Sequence, residues 1–288
     1  VKTSPTPPPE DGFLDEHPKI KWLATSRTTG VAAVAFVGIV ALLVAVIVVR
    51  ANIGTDDRGQ GTAQLATTPS AAAPITPSAP GGSGFGPSIA DGLGREIAMP
   101  VDEQGQILPQ TPPPDRPAFD PAVPVPAPEG VMWQRIGATV APFSTSDGPT
   151  RIDGRLAFGF AHTPQGAALA GWQITARMLR SGDDVREAYA RQIVADPGRE
   201  AATMNRLEAS GESDFRTGKA LIFPEAFRVA SYNENGTFAV VRYATPLGGG
   251  TWSAGQAALT WDDGQWKLRD TPAPATTTIS SLAGWTRW

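Results

Sequence analysis

Residues 31–49 read VAAVAFVGIVALLVAVIVV, nineteen consecutive residues without a charge, proline, asparagine or glutamine. At about 1.5 Å rise per residue, a helix of this length approaches the ~30 Å hydrocarbon thickness of a bilayer. Only a helix satisfies the backbone groups of a single segment in lipid. A core helix of a soluble domain would normally carry a polar stripe, and this one has none. The run exceeds the apolar core of a signal peptide, and about thirty residues precede it. We therefore expect an uncleaved single-pass anchor over 31–49, with a short tail (1–30) on one side and everything after it on the other. Lys19, Lys21 and Arg27 precede the run, whereas Arg50 and Arg58 follow it, the latter beside Asp56 and Asp57. That excess places the N-terminus in the cytoplasm and the C-terminal part outside it, in the cell membrane's outer compartment. Trp22 reads as an interfacial anchor.

Prolines and glycines dominate the next stretch. From Ala51 to Pro128 there are 15 prolines and 10 glycines in 78 residues, which passes the roughly 25–30% that marks disordered, low-complexity chain. Residues 50–128 are accordingly expected to be a disordered Pro/Gly-rich linker that holds a domain away from the membrane. Within it, Phe85, Ile89, Leu93 and Ile97 recur every four residues, a spacing that presents one apolar face if the segment is helical. Residues 85–101 are a candidate docking element, weakened by Gly92 and Gly94. Gly82-Ser83-Gly84-Phe85-Gly86 is no nucleotide loop, because no strand leads into it.

Composition turns globular at Glu129, and residues 129–288 suit one domain with its own core. A segment Val131–Phe143, a turn over Ser144–Pro149 and a strand Arg155–Ala161 lead to His162-Thr163-Pro164. Thr163 is placed to cap a helix whose first turn holds Pro164. This helix should run to about Ser181, with Arg177 and Arg180 complementing its C-terminal dipole. Its apolar residues, among them Leu169, Trp172, Ile174 and Met178, wrap most of the circumference, so neighbours should enclose it. Small residues (Gly166–Ala168, Ala170-Gly171) allow close approach. Asp183 or Asp184 should cap a second helix that Asp196-Pro197-Gly198 ends, and a third spans Arg199 to about Ala209. Strands follow at Ala220–Phe223, Ala226–Tyr232, Thr237–Thr245, Thr251–Trp261 and Trp266–Asp270. Asn235-Gly236 and Asp263-Gly264 are hairpin turns, so the strands form an antiparallel meander. The expected class is α+β, helices followed by a curved antiparallel sheet.

The chain carries a net charge of −4 and no cysteine. Without cysteine there are no disulfides, thiol nucleophiles or zinc–thiolate sites. No basic block tracks a phosphate backbone, so direct nucleic-acid binding is not expected. Arginine outnumbers lysine 19 to 5, as in GC-rich bacterial genomes. His162 is the natural candidate for acid–base chemistry, since His17 belongs to the tail. At a helix start its neutral form is favoured. Asp214, Tyr232 and Tyr243 are its candidate partners, but nothing in the sequence gathers them in one pocket, and the plainer role for His162 is to bond a carbonyl or pack against the sheet. Trp252-Ser253-Ala254-Gly255 lacks the leading glycine and following helix of a nucleophile elbow. Trp252, Trp261, Trp266, Trp285 and Trp288 read as core or interface anchors. We assign no catalytic, cofactor or metal residues.

The order strand, long buried helix, two shorter helices, antiparallel meander resembles the nuclear-transport-factor-2-like cone, in which a curled sheet wraps the first helix. The stretch Gly159-Phe160-Ala161-His162-Thr163-Pro164-Gln165-Gly166-Ala167, with Gly148-Pro149 ahead of it, resembles a domain of unknown function found in membrane-anchored proteins of high-GC Gram-positive bacteria, many carried on conjugative elements. Anchor, linker and cone together are similar to single-pass assembly proteins of type IV secretion systems. That resemblance implies a non-enzymatic, membrane-anchored structural component of a conjugation or secretion machine. Its extracytoplasmic domain would contact other membrane proteins of the machine, or further copies of itself, without a cofactor. The alternatives are an envelope ligand-binding domain that uses the cone cavity, and a cavity acid–base enzyme.

Overall fold

Thr163 starts the helix around which the fold is built. Its backbone is extended (φ −136°, ψ 161°) and its Oγ1 accepts a hydrogen bond from the Gly166 N–H at 2.9 Å, as a cap should. Helix α1 runs Pro164–Met178 in the computed structural model, which describes residues 84–210, 223–272 and 275–288. The tail, the expected membrane span and the linker up to residue 83 lie outside the described residues. So do most of the expected strand Ala220–Phe223 and the candidate Asp214. Among the described residues no helix is long and apolar enough to cross a membrane.

Every residue of α1 after Pro164 is buried. On one side stands a four-stranded sheet in the order β1 (Phe85–Ala90), β2 (Glu96–Pro100), β3 (Met132–Ile136), β4 (Thr139–Phe143). On the other stands the meander β8 (Ala226–Tyr232), β9 (Phe238–Gly248), β10 (Thr251–Asp262), β11 (Gln265–Arg269), antiparallel throughout. Two-residue strands flank it, β13 (Thr286–Arg287) beside β8 and β7 (Ile193–Val194) parallel to β11; β12 (Thr277–Ile279) pairs with β10. Helix α1 is thus held between two sheets, where a single wrapping sheet was expected. The short hairpin β5 (Arg151–Asp153) and β6 (Leu156–Phe158) replaces the expected strand Arg155–Ala161.

Side chains tie α1 to both sides. The Trp172 Nε1–H donates to the Val140 carbonyl at 3.1 Å and Gln173 Nε2 to that of Pro142 at 2.8 Å, both on β4. From β9, the Tyr243 hydroxyl donates to the Ala168 carbonyl at 2.8 Å, and burial pushes its phenol pKa up. Tyr243 reaches that carbonyl because Gly171 has no Cβ, which would collide with the hydroxyl.

Arg177 departs from its expected role at the dipole. It is fully buried, and its guanidinium donates to Gln173 Oε1 (3.1 Å), the Arg155 carbonyl (2.8 Å) and the Gln104 carbonyl (2.8 Å). Desolvation, then the nearby Arg180, pulls its pKa down to about 9, which leaves it charged at neutral pH. Helix α2 (Gly182–Arg191) is capped by Ser181, whose Oγ accepts from the Asp184 N–H, and not by Asp183 or Asp184. The Asp184 carboxylate pairs with Arg180 at 2.5 Å. Pro197, expected to follow the end of α2, opens α3 (Pro197–Ser210).

The largest correction concerns the linker. More than half of it, residues 84–128, is part of the domain. Phe85, Ile89 and Ile97 lie on a β-hairpin, not a helix, with Leu93 in its turn. Ile97 is completely buried in the core.

Candidate functional site

Residues 109–128 cross the N-terminal end of α1 as an extended strap. Nine of its residues are proline, which fixes φ and removes N–H donors. The strap therefore offers its carbonyls to side chains of the domain: Pro126 accepts from Gln165 Nε2 (3.0 Å), Val125 from Thr286 Oγ1 (2.5 Å) and Pro121 from Arg228 Nη2 (3.4 Å). Thr111 contributes one of its few backbone bonds, to the Thr145 carbonyl at 2.8 Å.

One ion pair pins its middle. Arg116 grips Asp147 with two bonds of 2.7 Å, one to each carboxylate oxygen. Asp147 is buried and also accepts from Ser146 Oγ (2.5 Å) and Thr163 Oγ1 (2.8 Å). Burial opposes its ionisation, but the bonds from Arg116, Ser146 and Thr163 and the Arg116 charge outweigh that. Its carboxyl is held below the ordinary value. Thr163 thereby caps α1 with one lone pair and donates its hydroxyl hydrogen bond to Asp147, so strap, turn and helix start are one network.

Between strap and helix lies a cavity of about 590 Å³, bordered by Arg116, Phe119, His162, Gln165 and Tyr232. A second, of about 370 Å³, opens beside Thr111, Asp147, Thr150 and Gly159. His162 and Tyr232 thus share a wall, through a 3.3 Å bond from the Tyr232 hydroxyl to the His162 carbonyl. Tyr243 is under α1, away from them.

The His162 ring is held on three sides. It stacks on Trp261 with centroids 4.1 Å apart and planes 10° apart, meets Trp266 edge-on, and sets Nε2 2.7 Å from the Gly236 carbonyl. A carbonyl only accepts, so Nε2 carries the proton and is not a free base. Gly236 sits at φ 67°, and a Cβ there would stand 2.7 Å from His162 Nε2 and 2.8 Å from the Tyr232 hydroxyl. The Asn-Gly turn thus serves the histidine as well as the hairpin. Ser253 lies buried within β10. Trp266 donates to the Ala161 carbonyl at 3.0 Å, and Trp288 packs between Trp133 and Phe227. Among the described residues no group of three or more His, Asp or Glu side chains is placed to hold a metal ion.

A family model for a domain of unknown function, DUF8175, matches residues 98–287. The chain belongs to the DUF8175 family. The match begins within β2, so the family domain takes in the strap as well as the residues after Glu129. No curated protein and no solved structure matches the chain. Sequence reasoning singled out His162, Thr163 and Gly148-Pro149 but missed Asp147 and Arg116. The signal available was a lone arginine in a proline-rich run with a lone aspartate just ahead of Gly148-Pro149.

Proposed function

We propose that this DUF8175 protein is a membrane-anchored assembly component of a bacterial conjugation or type IV secretion-like machine. In this reading residues 31–49 span the cell membrane, the N-terminus is cytoplasmic, and the extracytoplasmic domain works through contacts with other membrane proteins of the machine, or with copies of itself. The supports are the apolar run, the spacer after it, and the likeness of helix-then-meander order to the nuclear-transport-factor-2-like cones of single-pass assembly proteins. The observation that carries it over an enzyme is the packing around α1. The buried Trp172 and Tyr243 pack against each other between α1 and the meander, and the buried Arg177 is spent on the Gln173 side chain and the Arg155 and Gln104 carbonyls. The imidazole that borders the outer cavity is committed to Gly236 and Trp261. A second reading, an envelope ligand-binding domain, draws on the roughly 590 Å³ space beneath the strap, a size that suits a small molecule.

A transfer assay separates these readings. Shortening the chain between the apolar run and Gly84 should abolish transfer while leaving the domain folded, because the tether no longer reaches. His162→Ala, if it folds, should transfer near normally. The reverse pattern, an inactive but folded His162→Ala protein and a tolerated short tether, would replace this proposal with a cavity function.

A further inference from the structure

The outer face of the meander carries an electrostatic conflict. Arg228 on β8 and Arg242 on β9 are direct cross-strand partners, so their side chains leave the same face with Cβ atoms about 5 Å apart. Like charges so placed destabilise a sheet. Gln256 on β10 is the next residue in the row. Lys267 joins the same face through its register with Thr260 and, beyond that, Phe238; Arg269 follows two residues along β11.

The carboxylates nearby are committed elsewhere. Asp262 pairs with Lys267 at 2.6 Å, and Glu225 with Arg287 and the Trp252 indole N–H. Asp120 accepts from its own loop, at the Ala122 N–H. Arg228, Arg242 and Arg269 form no ion pair among the described residues. Arg228 has only the long bond to the Pro121 carbonyl, and Arg242 only a 3.3 Å bond to Thr277 Oγ1 with the Trp285 ring 5.5 Å away. Both partners are neutral, the strap carbonyl of Pro121 and the hydroxyl of Thr277 on β12. Two half-buried guanidiniums therefore share the outer face of the meander, steered by neutral groups and left without counter-charge.

We propose that this face binds an acidic polypeptide segment whose carboxylates lie across Arg228 and Arg242. The inference rests on the reading of the domain as a contact module and names the partner's chemistry. Planar guanidinium forks match carboxylates bidentately, and a bound carboxylate relieves the repulsion between the two arginines. Three arginines without an ion pair on one sheet face suit an acidic peptide better than nucleic acid, which needs an extended row of phosphate contacts.

The test uses the full chain in detergent at low ionic strength and follows labelled polyglutamate by fluorescence anisotropy. Polyglutamine and oligothymidine serve as comparisons. Polyglutamate should bind, and Arg228→Gln with Arg242→Gln should weaken it about tenfold or more. The same double variant should melt at or above the wild-type temperature, since it removes repulsion. Arg186→Gln, whose guanidinium pairs with Asp183 on α2, should leave binding unchanged. Equal binding of polyglutamine, an unaffected double variant, a double variant that melts lower, or preferential oligothymidine binding through the same arginines would each overturn the proposal. The assay contains no transfer machinery, so its failure is separate from a failure of the assembly reading in the transfer assay.

Discussion

Replacing Trp172 with aspartate is expected to leave the domain unfolded. Trp172 is 2% exposed, lies between β4 and the meander, and packs against Tyr243 with ring centroids 5.5 Å apart. Truncating such a side chain costs about 3–5 kcal/mol from the cavity alone. Aspartate adds a buried charge with no cation to meet it, and the Val140 carbonyl loses its donor. Against a total stability of about 5–15 kcal/mol, the sum is enough to abolish cooperative melting. A calorimetric scan of Trp172→Asp that keeps a sharp transition near the wild-type temperature would mean that α1 is not enclosed as described.

A fragment starting at Gly84 is expected to fold, and one starting at Glu129 is not. The shorter fragment loses β1, β2 and the strap, and with them Ile97 and Leu108 from the core. It also removes the Gln104 carbonyl from Arg177 and the Arg116 guanidinium from Asp147. Leaving one member of a buried ion pair alone costs about 3–5 kcal/mol. The pH dependence follows from the depressed carboxyl of Asp147. Its contribution to stability is present above the ordinary carboxylate range and disappears as pH falls through its lowered folded value. The longer fragment should show that acid loss. A shorter fragment melting as cooperatively and as hot as the longer one would return residues 84–128 to the linker.

Local chemistry was legible wherever one residue settled one backbone feature. Thr163-Pro164 fixed the start of α1, Asn235-Gly236 and Asp263-Gly264 fixed two hairpins, and the lack of a polar stripe foretold the burial of α1. The four-residue spacing of Phe85, Ile89, Leu93 and Ile97 misled because four is also a multiple of two, so it fits strand alternation as well as a helix face. Gly92 and Gly94, read as weak points of a helix, belong to the turn of a hairpin. The strap was illegible for a different reason. Proline-rich chain has the same composition whether it floats free or lies along a surface, and what orders this stretch is bonds from Gln165, Thr286 and Arg116. Two of those donors are far away in sequence. Arg177 looked like a dipole cation because the carbonyls it reaches, on Gln104 and Arg155, carry no sequence signature.

Affinity capture of the full chain from detergent-solubilised membranes of a donor strain, after mild crosslinking, tests the assembly reading most directly. Membrane proteins of the transfer machine should come down with the tagged chain in comparable amounts. They should be lost when residues 84–288 are deleted and the tail, anchor and spacer are kept. Recovery of the chain alone, or of the same proteins from the deletion, would contradict a domain that acts through protein contacts.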